Sequence, residues 1–142
     1  MAMTPEQVRA RIRHRLGEQR ELVSELLAQR AQVQGSLFAR YGSCGKEGCA
    51  CRSGDRHGPY YVLSTRSRGQ GGFAYLDAGK ASQARQLVRA HRDFKRGLRR
   101  LGRLNLELVA LLRRYQELQT RQGGRRLGLP GSPSRGREKH AH

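Results

Sequence analysis

The sequence predicts an α+β chain: two long antiparallel helices, packed as a coiled-coil-like hairpin, with a cysteine-rich segment and a β-hairpin inserted between them. Three observations predict it. Apolar residues recur at helical spacing over residues 5–34 and again, at an almost strict 4,3 spacing, over residues 80–120. Between these stretches the periodicity vanishes and glycine becomes frequent. Within that middle segment, two short aromatic and β-branched runs stand either side of a Gly/Ser-rich turn. The 142 residues suffice for one domain, which we place at 1–120, followed by a basic tail at 121–142.

The first helix opens at Thr4-Pro5-Glu6-Gln7. Thr4 is the N-cap, Pro5 takes the first helical position where its missing N–H costs nothing, and Gln7 completes a capping box. Val8, Ile12, Leu16, Leu22, Val23, Leu26, Leu27 and Val33 then keep one face apolar, with Gly35 as the C′ stop. This predicts a helix over about 5–34.

In the insert, 35–79, Tyr60-Tyr61-Val62-Leu63-Ser64-Thr65 and Phe73-Ala74-Tyr75-Leu76 predict the two strands of a β-hairpin. Its aromatic residues Tyr60, Tyr61, Phe73 and Tyr75 have two readings. They cover the hairpin's own apolar face, which is the commoner arrangement, or they stack on unpaired bases.

The second helix, 80–120, carries a seam of Leu87, His91, Phe94, Leu98, Leu101, Asn105, Leu108, Leu112 and Tyr115. Asn105 either fixes register within that seam or reaches solvent. Placing Val33 opposite Ala81 pairs positions whose numbers sum to about 114, because both helices rise equally per residue. Gly17 then meets Gly97. Helix one runs out opposite Val109, leaving Leu111, Leu112, Tyr115 and Leu118 without a partner in their own chain. That stripe predicts a homodimer or a helical protein partner. Beyond Arg121 the chain turns to Gly, Pro, Ser and Arg, too polar to offset its ordering entropy, and is read as disordered.

Charge is the strongest compositional signal. Lys and Arg number 29 against 11 Asp and Glu, a net +18, and 25 of the cations are arginines, which keep their charge and grip phosphate bidentately. Residues 80–120 hold eleven basic and three acidic side chains, whereas helix one is nearly balanced. Arg85, Arg89, Arg92, Arg96, Arg99 and Arg103 form a row offset two residues from Leu87, about 200° around the helix and so opposite the predicted seam. The row spans about 27 Å, enough to follow several phosphates. No apolar run approaches the roughly 18 residues of a membrane span. The start lacks a signal peptide's blocks and the three cysteines are an odd count, which together predict a reducing, cytoplasmic setting.

Cys44, Cys49, Cys51 and His57 read C-x4-C-x-C-x5-H. Three thiolates and one imidazole are a closed tetrahedral zinc set, and four protein donors leave no open position for catalysis. The reading is one structural Zn2+ in a zinc knuckle. The alternatives are reduced cysteines in a loop with a surface histidine, or a redox pair of Cys49 and Cys51 without the βαβ setting such pairs usually occupy.

Gly35-Ser36-Leu37, Tyr41, Cys44-Gly45-Lys46, the Cys49/Cys51 pair and His57-Gly58-Pro59-Tyr60-Tyr61 together resemble a small bacterial and archaeal family known as a domain of unknown function. The resemblance implies that Cys44, Cys49, Cys51 and His57 belong to one unit, and that helix, knuckle, hairpin, helix is the family plan. It implies no activity.

No phosphate-cradling glycine loop, nucleophile-and-base motif or paired carboxylate site is present in the sequence, so an enzyme is not expected. The expected function is a zinc-containing protein that binds DNA or RNA through phosphate contacts from the arginine row. The alternative is a coiled-coil adaptor or oligomeric subunit whose basic surface meets an acidic protein.

Overall fold

The computed structural model describes residues 2–28, 31–43, 46–50, 54, 56–67 and 70–131. The architecture is α+β, with two helices and a three-stranded antiparallel sheet in the order α1 (Pro5–Ala28), β1 (Gly35–Gly42), β2 (His57–Ser67), β3 (Gln70–Leu76) and α2 (Ala78–Leu127). Two compact units divide it: one takes α1 through Ser24 and α2 from Arg99 onward, the other runs from Glu25 to Leu98. No described helix is long and apolar enough to cross a membrane.

The start of α1 follows the sequence closely. The Thr4 amide donates to Gln7 Oε1 at 2.9 Å and the Gln7 amide to Thr4 Oγ1 at 3.3 Å, a reciprocal capping box. Its end does not follow. Helix α1 stops at Ala28, residues 31–34 are not helical, and Gly35 begins β1 rather than capping a helix. Periodicity carried the expected helix too far because Val33 falls at helical spacing but packs from an extended segment, its amide donating to the Leu87 carbonyl.

In the first unit the two helical segments run antiparallel. Arg9 donates to the Tyr115 hydroxyl at 2.7 Å, Gln19 Nε2 to Asn105 Oδ1 at 2.7 Å, and Arg15 Nε pairs with Glu107 at 2.8 Å. These positions sum to 122–124, not to 114. A Cβ at Gly17 would accordingly meet nothing within 4 Å beyond its own helix, while Gly97, in the other unit, is where Leu26 packs: a Cβ there would lie 2.5 Å from Leu26 Cδ2. In this register Leu111, Tyr115 and Leu118 are half-buried within the chain, while Leu112 of the same stripe stays exposed.

The buried line on α2 differs from the expected seam in the same way. Leu101, Leu108 and Tyr115 keep their places, but Leu104, Leu111 and Leu118 fill the alternate positions, and Leu98, Asn105 and Leu112 are exposed. In a leucine-rich helix two stripes one residue apart both satisfy a 4,3 spacing. Gly97 conceals the correct one because it contributes no apolar side chain. Asn105 is a solvent-exposed hydrogen-bonding residue.

Helix α2 is also longer than expected. Asp77 caps it, accepting from Lys80 N at 2.8 Å. It continues through 121–127, where a disordered tail was expected. Gly128, at φ +65°, ends it in a Schellman motif, with Leu129 N donating to Gly124 O at 2.9 Å and Gly128 N to Arg125 O at 3.2 Å. Residues 132–142 of the tail lie outside the described residues.

The sheet is a meander. The expected hairpin is β2–β3, and β1, which its short mixed sequence did not announce, pairs with β2 from Gly35↔Thr65 to Gly42↔His57 with an irregularity between Arg40 and Gly42. Gly58, in β2, sits beside that irregularity at φ +140°, where a Cβ would meet Tyr41 Cδ1 at 2.8 Å and the Arg40 carbonyl at 2.9 Å, so the position accepts only glycine. The sheet's inner face packs on α2 through Leu63, Ala84 and Val88, with Val33, Leu37 and Leu76 at the margin.

Candidate nucleic-acid interface

With Ala81, Ala84 and Val88 as the buried line in the Glu25–Leu98 unit, the arginine row takes a new position. At 100° per residue, Arg85, Arg89, Arg92 and Arg96 lie about 40–100° from Val88. They flank the core and do not lie opposite it, as the offset from Leu87 had implied. Sequence spacing gave the row's continuity correctly and its azimuth wrongly, for the same reason that it misplaced the seam.

The consequence is a groove. Strand β1 is an edge of the sheet, and between it and α2 lies a hollow of about 260 Å³. Leu37, Ala39, Tyr61 and Val88 line it together with Arg85, Arg89, Arg92 and Arg96. Asp93 is its one acidic lining residue and lies 3.5 Å from Arg96 Nη1. Beside it a second hollow, about 340 Å³, shares Arg92 and adds Arg66, His91 and Lys95 with the hydroxyl residues Ser36, Ser64 and Thr65. Six cationic side chains and one carboxylate therefore border adjoining hollows.

All six expected arginines are exposed. Arg85, Arg89, Arg92 and Arg96 are brought together in the groove; Arg99 and Arg103 belong to the other unit and line neither hollow. Arg66 and Lys95 were not singled out from the sequence. Lys95 sits on the same helix as the row, but the placing of Arg66 depends on strand pairing that spacing does not encode. Exposed guanidinium groups around a concave, partly apolar surface attract anions and hold them bidentately, in a manner screened by salt.

The cysteine-rich segment is the connection between β1 and β2, closed at its base by the Gly42↔His57 pair. It therefore sits inside the sheet's first turn rather than ahead of a separate hairpin. Cys49 Sγ lies 3.0 Å from His57 Nε2. Cys44 and Cys51, the other two expected zinc donors, lie outside the described residues. Among the described residues no three His, Cys, Asp or Glu side chains gather as a metal set. A tetrahedral zinc shared by one sulfur and one imidazole nitrogen would set them about 3.6 Å apart. The observed 3.0 Å is shorter and is the distance of a hydrogen-bonded thiol and imidazole.

Aromatic residues occupy the sheet's outer face. Phe38, Val62 and Tyr75 are directly paired across the three strands, with Phe73 two residues from Tyr75 and Tyr60 two from Val62. Val62 is buried, yet Phe73 and Tyr75 are 74% and 70% exposed, and Tyr60 and Phe38 46% and 43%. The hairpin aromatics expected to cover their own apolar face cover little more than Val62; only Tyr61, on the inner face, is half-buried. Phe38 escaped the sequence reading because β1 did.

A family model described as a domain of unknown function, DUF6788, matches residues 6–86. Neither a curated protein nor a solved structure matches the chain.

Proposed function

This chain belongs to the DUF6788 family, a domain of unknown function, and on that footing we propose that it is a non-enzymatic nucleic-acid-binding protein that grips the phosphate backbone of DNA or RNA. The observation that carries the reading is the groove beside β1, in which Arg85, Arg89, Arg92 and Arg96 meet a single acid, Asp93. Arg99 and Arg103, in the other unit, take the same phosphate-binding role there. A polyanion recruited this way neutralises several cations at once and releases counterions, so affinity rests on charge more than on sequence.

Structural zinc belongs to the same proposal, with Cys44, Cys49, Cys51 and His57 as its holders. When bound, the ion would cross-link the β1–β2 connection. His57 stands in β2 and Cys49 in the loop, so the chain's own contribution is to present one donor from a fixed strand and to bring the thiol at Cys49 to it.

Association is a further part of the proposal. On α2, Leu106 and Leu112 are exposed, and a second copy or a helical partner would cover Leu112 together with the margins of Leu111, Tyr115 and Leu118.

The test is a salt titration of binding to duplex DNA and to RNA by the untagged protein. A steep linear fall of log affinity with log salt is expected. Failure to bind either at low salt, with binding instead to an acidic protein, would replace this reading by that of an adaptor with a basic surface.

A further inference from the structure

Resting on the nucleic-acid reading above, we propose that the outer face of the sheet is a base-stacking platform and that the protein's preferred ligand is single-stranded nucleic acid. Phe38, Tyr60, Phe73 and Tyr75 supply the rings, and Arg40 and Arg66 the phosphate contacts.

Three observations lead there. The first is uncovered aromatic area: the rings share one face by register, and the most exposed of them, Phe73 and Tyr75, are adjacent same-face residues of one strand. Aromatics that exist only to bury apolar surface do not remain mostly open to water. The second is charge. None of the three strands contains an acidic residue, Arg40 pairs across from Tyr60, and Arg66 pairs across from Gly71 at the other end of the face. Neither arginine has an ion pair among the described residues. A surface that is aromatic and uniformly cationic complements bases on a phosphate chain. The third is spacing. Same-face neighbours along a strand stand about 7 Å apart, about twice the 3.4 Å rise of a stacked nucleic-acid strand. Successive bases can therefore lie on successive rings only when the strand is unpaired and extended, and a duplex, with its bases turned inward, offers them no π-face. Aromatic sheet faces recognise unpaired bases in this way in other proteins.

Arg66 also borders the basic hollow beside α2, which gives a strand on the platform a charged exit toward the groove.

The experiment compares a short thymidine oligonucleotide with a duplex of the same length, using the full chain and the double variant Phe73→Ser/Tyr75→Ser. Both side chains are mostly exposed, and circular dichroism checks that the variant folds. The wild type is expected to bind the single strand more tightly. The double variant is expected to lose about 10-fold or more of single-strand affinity, at stacking energies of order 1–3 kcal/mol per base, and little of its duplex affinity. Because stacking involves no counterions, the loss should hold at every salt concentration, whereas the loss from groove variants shrinks as salt rises. Equal losses for both ligands, or an unchanged single-strand affinity in the folded variant, overturn the platform and leave the groove reading standing. A wild type that binds neither ligand overturns both.

Discussion

Arg9 donates a hydrogen bond to the Tyr115 hydroxyl at 2.7 Å, and its guanidinium carbon lies 5.6 Å from the centre of the Tyr115 ring. The contact joins residues 106 apart in sequence and holds the two helical segments of its unit in one register. The guanidinium lowers the Tyr115 hydroxyl's pKa below the ordinary phenol value through that hydrogen bond, and the same bond raises that of Arg9.

The register makes a prediction about two glycines. Gly17 faces open space in the middle of α1, so Gly17→Ala should stabilise the protein by about 0.5–1 kcal/mol through helix propensity. At Gly97 the same change sets a methyl group against Leu26, which is buried and must shift, and the propensity gain should be cancelled or reversed. Denaturant unfolding of the two variants checks this. Equal stabilisation by both would show that Leu26 does not pack there.

Acid should weaken the first unit in a defined way. Arg15, hydrogen-bonded to Glu18 at 2.8 Å, holds the Glu18 carboxyl below the usual carboxylate range, with His14 and Arg100 adding to the effect. Over the acid range in which Glu18 titrates, the unfolded chain binds more protons than the folded one, so stability rises with pH. The contribution is present at neutral pH and lost as pH falls through the folded carboxyl's titration. Melting temperatures of the wild type and of Glu18→Gln should therefore differ at pH 7 and converge in acid; a gap that is constant with pH would assign the effect to packing.

How much of this was legible in the sequence depends on the kind of signal. Capping at Thr4 and Gln7 is local chemistry, and it was read correctly. The hairpin was recoverable from its aromatic runs, and the resemblance to a domain of unknown function agrees with the family model over residues 6–86. What failed was azimuth and pairing. Leu104 and Asn105 are neighbours in sequence, and only a facing helix decides which is buried. Gly97 hid the true stripe, and Gly35 imitated a helix stop while beginning a strand. The groove was invisible for a related reason: Leu37 and Tyr61 line one hollow with Arg89 and Arg92 only in the folded chain, and no spacing rule connects strand β1 to helix α2.

The zinc proposal predicts one zinc per chain in protein purified without chelator. Cys49→Ser or His57→Ala should each abolish stoichiometric metal and increase hydrogen exchange in the β1–β2 connection, because metal binding and local folding are coupled there. Elemental analysis that finds no zinc in the wild type would contradict it.

The central claim, that the groove beside β1 takes phosphates, is tested most directly by the salt dependence of binding in the triple variant Arg85→Gln/Arg89→Gln/Arg92→Gln. Glutamine keeps the helix propensity of α2 and removes three charges from one wall of the groove. At 0.7–0.9 counterions per phosphate contact, the log–log salt slope should fall by about 2 to 3 relative to wild type, with affinity reduced alike for all sequences. An unchanged slope in the folded variant would contradict the account.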